Sequence, residues 1–219
     1  MDQLGQIAEQ LEEGLAPGVA ETVAAAIAAG LPASRILDDG LVAGMDRVGE
    51  LFRSRAIFLP HVLLAARAMH AGLDVLRPLL IRDEVPRAGT VVLGTVRGDQ
   101  HDIGKNLVGI MLEGAGFEVV DLGVDVGPDA FLAAVEQSGA VIVGMSALLT
   151  TTMPAMAEVI DRIDGAGLRG RLRTIVGGAP VTEAWARTIG ADAYAYDGVS
   201  AVARIRQLRA GEPGLQDAP

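Results

Sequence analysis

Near residue 85 the hydrophobic period of this chain changes, and few folds accommodate both halves. Up to about residue 82 the apolar positions recur every three or four residues. In SRILDDGLVAGMDRVGELF they are Ile36, Leu37, Leu41, Met45, Val48, Leu51 and Phe52; in FLPHVLLAARAMHAGLDVLRPLL they are Leu59, Val62, Leu63, Ala66, Met69, Leu73 and Leu76. That spacing lays one apolar stripe along a helix. Two weaker helices are expected over roughly 3–13 and 18–29, punctuated by Pro17, Gly30 and Pro32, with Ser34 the expected N-cap of the third. Four helices on short connections predict an antiparallel bundle.

The polar stretch RDEVPRAG, Arg82 to Gly89, reads as a linker. Beyond it come five short apolar runs, most of them β-branched: TVVLGTV, EVVDLGV, AVIVGMSAL, RTIVGGA and ADAYAYD. They alternate with amphipathic stretches at about 104–115, 128–138, 153–166, 181–189 and 198–209. Strand followed by helix, five times over, predicts a parallel sheet covered on both faces. The expected organisation is a four-helix bundle over 1–84, a five-stranded α/β domain over 89–210 and a loose tail over 211–219. Half the residues are hydrophobic but only 3% are aromatic, so Ala, Val, Leu and Ile must build both cores.

Composition removes several functions. A net charge of −10 argues against a nucleic-acid partner, which needs a basic footprint. With no cysteine there is no disulfide, thiolate nucleophile or Cys-ligated metal. No basic region followed by an apolar core opens the chain, and no run of about 18 apolar residues occurs, so neither a signal peptide nor a membrane span is expected. The cytoplasm is the expected compartment.

An open parallel sheet binds ligands beyond the carboxyl ends of its strands, where the winding reverses. In a flavodoxin-like order that point lies between the first and third strands. The loop after strand one is GTVRGDQHDIG, which holds Asp99, His101 and Asp102 among glycines, in a chain with three histidines. The loop after strand three, SALLTTT, carries Ser146, Thr150, Thr151 and Thr152; the loop after strand four is GGAP. All three meet at one sheet end, which predicts a binding crevice. The alternatives are plain ones: a surface histidine, Asp99 or Asp102 capping the helix that starts near Ile103, hydroxyls capping the helix near Pro154, and glycines serving close packing. A metal ion held by Asp99, His101 and Asp102 alone is a further alternative. A dinucleotide is disfavoured by the missing G-x-G-x-x-G. A phospho-receiver is disfavoured by Ser146 where it would need an aspartate, and by the lack of a lysine after strand four.

Asp99-Gln100-His101-Asp102-Ile103-Gly104 resembles the D-x-H-x-x-G signature of cobalamin-binding domains, Ser146-Ala147-Leu148 their S-x-L, and Gly177-Gly178 their G-G. GMDRVGELF with FLPHVLLAARAM resembles the helical cap that precedes this domain in methionine synthase and in corrinoid proteins of methyltransferase systems. LLTTTMPAMAEVI is most similar to the stand-alone corrinoid proteins serving methanol, methylamine or quaternary-amine methyltransferases. SRAIFLP departs from the Gly-acid-aromatic sequence expected before Phe-Leu-Pro, which puts the shape of that turn in question.

The resemblance implies cobalamin bound with its own base displaced and His101 as the lower cobalt ligand. Asp99 would hold the other imidazole nitrogen and Thr152 would extend that relay. Gly98, Gln100, Asp102, Ile103, Gly104 and Leu148 would line the corrin. Ser146, Thr150, Gly177, Gly178 and Gly198 would line the slot for the nucleotide arm, and Phe52, Phe58, Leu59 and Val62 would cover the upper face, with Asp38 where a cap acid meets the cofactor. The cap would swing aside about the 82–89 linker. The implied function is a methyl carrier between a substrate-specific and a methyl-accepting methyltransferase, served by a reductive activase. The alternatives are a cobalamin-dependent regulatory adaptor or, disfavoured by the helical cap, a mutase subunit.

Overall fold

The computed structural model describes residues 2–83, 88–212 and 214–215. It divides into two compact units, one helical and running to residue 88 with residues 113–116, the other made of the remaining residues from 89 onward. The helical unit contains α1 (Gln3–Glu12), α2 (Ala16–Ala28), the short α3 (Ala33–Arg35), a π-helical segment (Ile36–Val42), α4 (Ala43–Arg53) and α5 (Leu59–Arg82). The third expected helix is thus a composite: α3, the π-helical segment and α4 follow one another without a break. Its N-cap is Pro32 rather than Ser34, and no side chain caps it. The apolar stripes meet as their spacing requires, with Ile7, Leu11, Val19, Val23, Ile36, Leu41, Val48, Met69 and Leu76 fully or almost fully buried. The expected linker lies partly outside the described residues, since 84–87 are not among them. Arg82 closes α5 and its guanidinium donates to both oxygens of Asp83.

The second unit is a five-stranded, wholly parallel sheet of order β2-β1-β3-β4-β5. Its elements are β1 (Thr90–Thr95), α6 (Ile103–Gly114), β2 (Glu118–Asp121), α7 (Pro128–Ser138), β3 (Ile142–Ser146), α8 (Pro154–Gly165), β4 (Arg173–Gly177), α9 (Glu183–Thr188), β5 (Ala193–Ala195) and α10 (Gly198–Arg209). One face is a buried cluster in which Val92, Val143, Met145 and Val176 pack with Phe131 and Val135 of α7 and with Met156, Val159 and Ile160 of α8. Alternation turns Val91, Leu93, Ile142 and Ile175, all buried, to the other face. Strands buried on both sides lose their polar alternation, hence the near-continuous apolar runs in the sequence.

Register positions the site. Thr95, Ser146, Gly177 and Ala195 are successive partners across β1, β3, β4 and β5, so they form one row at the carboxyl edge. Every loop expected to carry function leaves the sheet just past that row. The tail, expected to be loose from 211, is tied down at Leu215: its N–H donates to the Asp192 carbonyl and its carbonyl accepts from Arg187. Among the described residues no helix is long and apolar enough to cross a membrane.

Candidate functional site

Asp99 has no accessible surface, yet it is the centre of the carboxyl edge. Gly98 makes this possible: at φ +85° the chain turns back in a conformation that a side chain would resist, and Asp99 is carried inward. Five donors converge on its carboxylate. Oδ1 accepts from the His101 ring Nδ1 at 2.7 Å and from the His101 backbone N–H at 3.1 Å. Oδ2 accepts from the Thr152 hydroxyl at 2.6 Å and from the amides of Leu148 and Leu149 at 2.8 and 3.2 Å. The two amides follow β3 directly, a nest of the kind that binds anions. Burial by itself would raise the pKa of Asp99, but the hydrogen bonds from Thr152, His101 and Leu148 outweigh it and hold the acid well below the usual carboxylate range. Asp99 is therefore an anion and can only accept. The His101 Nδ1 must then carry a proton, and in the neutral ring the lone pair lies on Nε2.

The imidazole is half exposed while its aspartate is fully enclosed, so the free nitrogen faces outward from a rigid mount. The loop is fixed further where the Thr95 hydroxyl donates to the His101 carbonyl at 2.9 Å. Around it Ile103, Leu148 and Leu149 expose 74%, 42% and 43% of their surfaces and form an apolar rim. The Ser146 and Thr150 hydroxyls make no hydrogen bond among the described residues; Ser146 is half-buried and Thr150 exposed.

The plainer readings divide. Asp99 caps no helix, because all its acceptor capacity is used as above. Asp102 instead receives the Asn106 side-chain amide at 3.1 Å. The threonines do not cap α8, whose N-cap is Met153. Among the described residues no three metal-binding side chains cluster, so an ion held by Asp99, His101 and Asp102 alone finds no support. The glycines have a packing duty that needs no ligand. A Cβ on Gly178, at φ +126°, would stand 1.9 Å from the Ala147 carbonyl oxygen; on Gly177 it would stand 2.8 Å from that of Ala195; on Gly198, 2.6 Å from the Met111 sulfur. At Gly104 a Cβ would meet nothing within 4 Å.

In the helical unit Phe58 is 65% exposed, and Phe52 and Leu59 are half-buried. Val62 has no accessible surface. Asp38 is exposed on the π-helical segment.

One residue escaped the sequence reading. Lys105, the only lysine in the chain, has a buried ammonium that donates to both oxygens of Asp121, at 2.6 and 2.5 Å, and to Asn106 Oδ1 at 2.7 Å. All three protons are used. This bond ties the first turn of α6, four residues past His101, to the end of β2. The available signal was compositional, a single lysine among 18 basic residues.

Two B12 binding domain families match the chain, one over residues 89–206 and the other over residues 3–77. The dimethylamine corrinoid protein 1 of Methanosarcina acetivorans is 46% identical over 181 residues, covering 82% of this chain and 85% of that one. The chain belongs to the B12-binding corrinoid proteins. Two solved structures place this corrinoid protein in the same fold. A cobalamin-binding protein from Desulfitobacterium hafniense is 33% identical, with a TM-score of 0.78 over 94% of this chain and 98% of that one. The methanol:cobalamin methyltransferase complex of Methanosarcina barkeri is 32% identical, with a TM-score of 0.87 over 99% of this chain and 83% of the matched one. The expected helical cap followed by a five-stranded parallel α/β domain is the architecture found. The side chains suit cobalamin: a metal macrocycle asks for an axial nitrogen and apolar surroundings, and His101 Nε2 inside the rim of Ile103, Leu148 and Leu149 offers both.

Proposed function

We propose that this corrinoid protein is a methyl carrier, holding cobalamin through His101 in place of the cofactor's own base and passing a methyl group between two methyltransferases. When bound, the cobalt of the corrin supplies the centre that accepts and releases the methyl group. The rest of the work belongs to the chain. His101 presents Nε2, and Asp99 keeps the ring in the tautomer that leaves it bare. Thr152, almost buried, steadies the charge on Asp99 and links it onward through its hydroxyl. Ser146 and Thr150 offer hydroxyls to the nucleotide arm. Gln100, Asp102, Ile103 and Leu148 border the ring, where Gly98 and Gly104 keep the backbone bare. Phe52, Phe58 and Leu59 give apolar cover that withdraws when a partner enzyme docks.

The observation that carries this reading is the Asp99–His101 pair, an imidazole with one nitrogen fixed and the other free. Support for the partners comes from the relatives, one a dimethylamine corrinoid protein and another part of a methanol:cobalamin methyltransferase complex. The setting is the cytoplasm, with a reductive activase restoring carrier that has been oxidised.

The test is a reconstitution. Protein loaded with hydroxocobalamin is reduced and mixed with methanol, dimethylamine or trimethylamine and the matching methyltransferase. The visible spectrum should report methylation with one donor and its enzyme, and none when the enzyme is left out. Protein that binds the cofactor yet is methylated by none of these systems would contradict the carrier role.

A further inference from the structure

Two non-glycine residues among those described hold a left-handed backbone, Arg55 and Asp125. Asp125, at φ +57°, lies in the segment after β2, which runs beside the loop carrying His101. A residue with a Cβ resists this conformation, and aspartate and asparagine tolerate it best because their short polar side chains bond locally. Such conformations persist where the surroundings demand them, and they collect at functional sites.

Asp125 clasps the histidine loop from both sides. Its carboxylate Oδ1 accepts the Gly98 N–H at 2.7 Å, and its own N–H donates to the Asp99 carbonyl at 3.0 Å. One residue on, Val126 N–H donates to the Thr95 carbonyl at 2.9 Å and Val126 pairs with Val96 in a parallel bridge. The left-handed turn is what lets the backbone and the side chain of one residue reach successive groups of the loop. Asp125 is itself exposed and lends nothing to the core. Its contacts go to the backbone that aims Asp99, and Asp99 aims His101.

We infer that Asp125 is a positioning residue for His101: it holds the Gly98–Asp99 backbone so that the Asp99 carboxylate keeps the imidazole proton on Nδ1 and Nε2 free. The inference rests on His101 being the cobalt ligand. Asp125 touches neither ring nor cofactor and acts through the loop.

Three substitutions separate its contributions. Asp125→Asn keeps an acceptor and tolerates the turn, Asp125→Gly keeps the turn and loses the acceptor, and Asp125→Ala loses both. The first measurement needs no cofactor: the ring nitrogen shifts of 15N-histidine-labelled apoprotein report which nitrogen of His101 carries the proton. The second is the cobalamin titration, with the fraction of bound cofactor coordinated by histidine read in the cobalt(II) state. Asn should behave as wild type. Gly should shift the ring toward the Nε2–H form and weaken cobalamin binding by about tenfold, the lower end of what a lost outer partner costs a metal site. Ala should do both more strongly, and thermal melts should stay near wild type for Asn and Gly.

Wild-type ring shifts and wild-type coordination in both Gly and Ala would overturn the inference. Should Ala fail to fold, Gly alone decides it. Wild-type protein that takes up no cobalamin would sink the carrier reading, and the ring shifts of the apoprotein would still judge the brace.

Discussion

Asp99→Asn keeps the shape of the buried acid and removes its charge, and the geometry dictates how the amide must sit. Its NH2 must replace one carboxylate oxygen. At the Oδ2 position it would oppose the two amides of Leu148 and Leu149, while the Thr152 hydroxyl could turn its proton to the Leu149 carbonyl. At Oδ1 it confronts two, His101 N–H and the ring Nδ1, and the ring can turn acceptor by moving its proton to Nε2. Asparagine therefore places NH2 toward His101 and protonates the nitrogen that should stay bare. One backbone donor is left opposed, at roughly 1–3 kcal/mol, and three remaining bonds lose charge assistance at about 1 kcal/mol each. The variant no longer buries a charge, which returns part of this, for a net destabilisation of about 2–4 kcal/mol. Urea unfolding measures the loss, and ring nitrogen shifts read the tautomer. The pH dependence follows from the depressed acid. Its stabilisation is complete above the unfolded value of about 3.9 and is lost as pH falls toward the folded value. Protonation of Asp99 should narrow the gap between wild type and Asp99→Asn as pH falls below about 5. An unchanged urea midpoint, or a ring that keeps its proton on Nδ1, would refute the reasoning.

Gly178→Ala drives a methyl into the Ala147 carbonyl from a left-handed backbone, so it should cost at least about 3 kcal/mol; a melt within two degrees of wild type would contradict the packing described. Lys105→Met leaves the carboxylate of Asp121 able to hydrate, since it is partly exposed, and should cost about 1–3 kcal/mol in urea unfolding. Phe58→Ala should change stability by less than about 0.5 kcal/mol, because the ring is largely exposed. If Phe58 shields the cofactor as proposed, the same variant should speed photolysis of bound methylcobalamin, and an unaltered rate would remove it from the cover.

The sheet was legible because β1, β3 and β4 are buried on both faces and its helices are amphipathic, so the two periods stand apart. The expected runs overshoot: EVVDLGV extends to Val124, but β2 ends at Asp121, where Gly123 takes φ +78° and the chain turns. The π-helical segment left no trace in the sequence, since a slip in helical period over seven residues still keeps Ile36, Leu37 and Leu41 on the buried side. Ser34 failed as a cap because Pro32 had already set the backbone that begins the helix. Within the site, His101 and Asp99 were readable as a motif and as a loop at the right sheet edge. The bonds from Leu148 and Leu149 were not, because backbone amides carry no sequence signature. Lys105 was hidden for a different reason: in a helical pattern a lysine reads as solvent-facing, and only the Asp121 partner, 16 residues away, explains its burial.

The most direct measurement is the electron paramagnetic resonance spectrum of the cobalt(II) cofactor bound to protein made with 14N- or 15N-histidine. If His101 Nε2 is the axial donor, the triplet splitting of the 14N sample becomes a doublet in the 15N sample, and His101→Ala abolishes the change. A triplet indifferent to the label would mean that the cofactor's own base stays on the metal, and the account of His101 would fall.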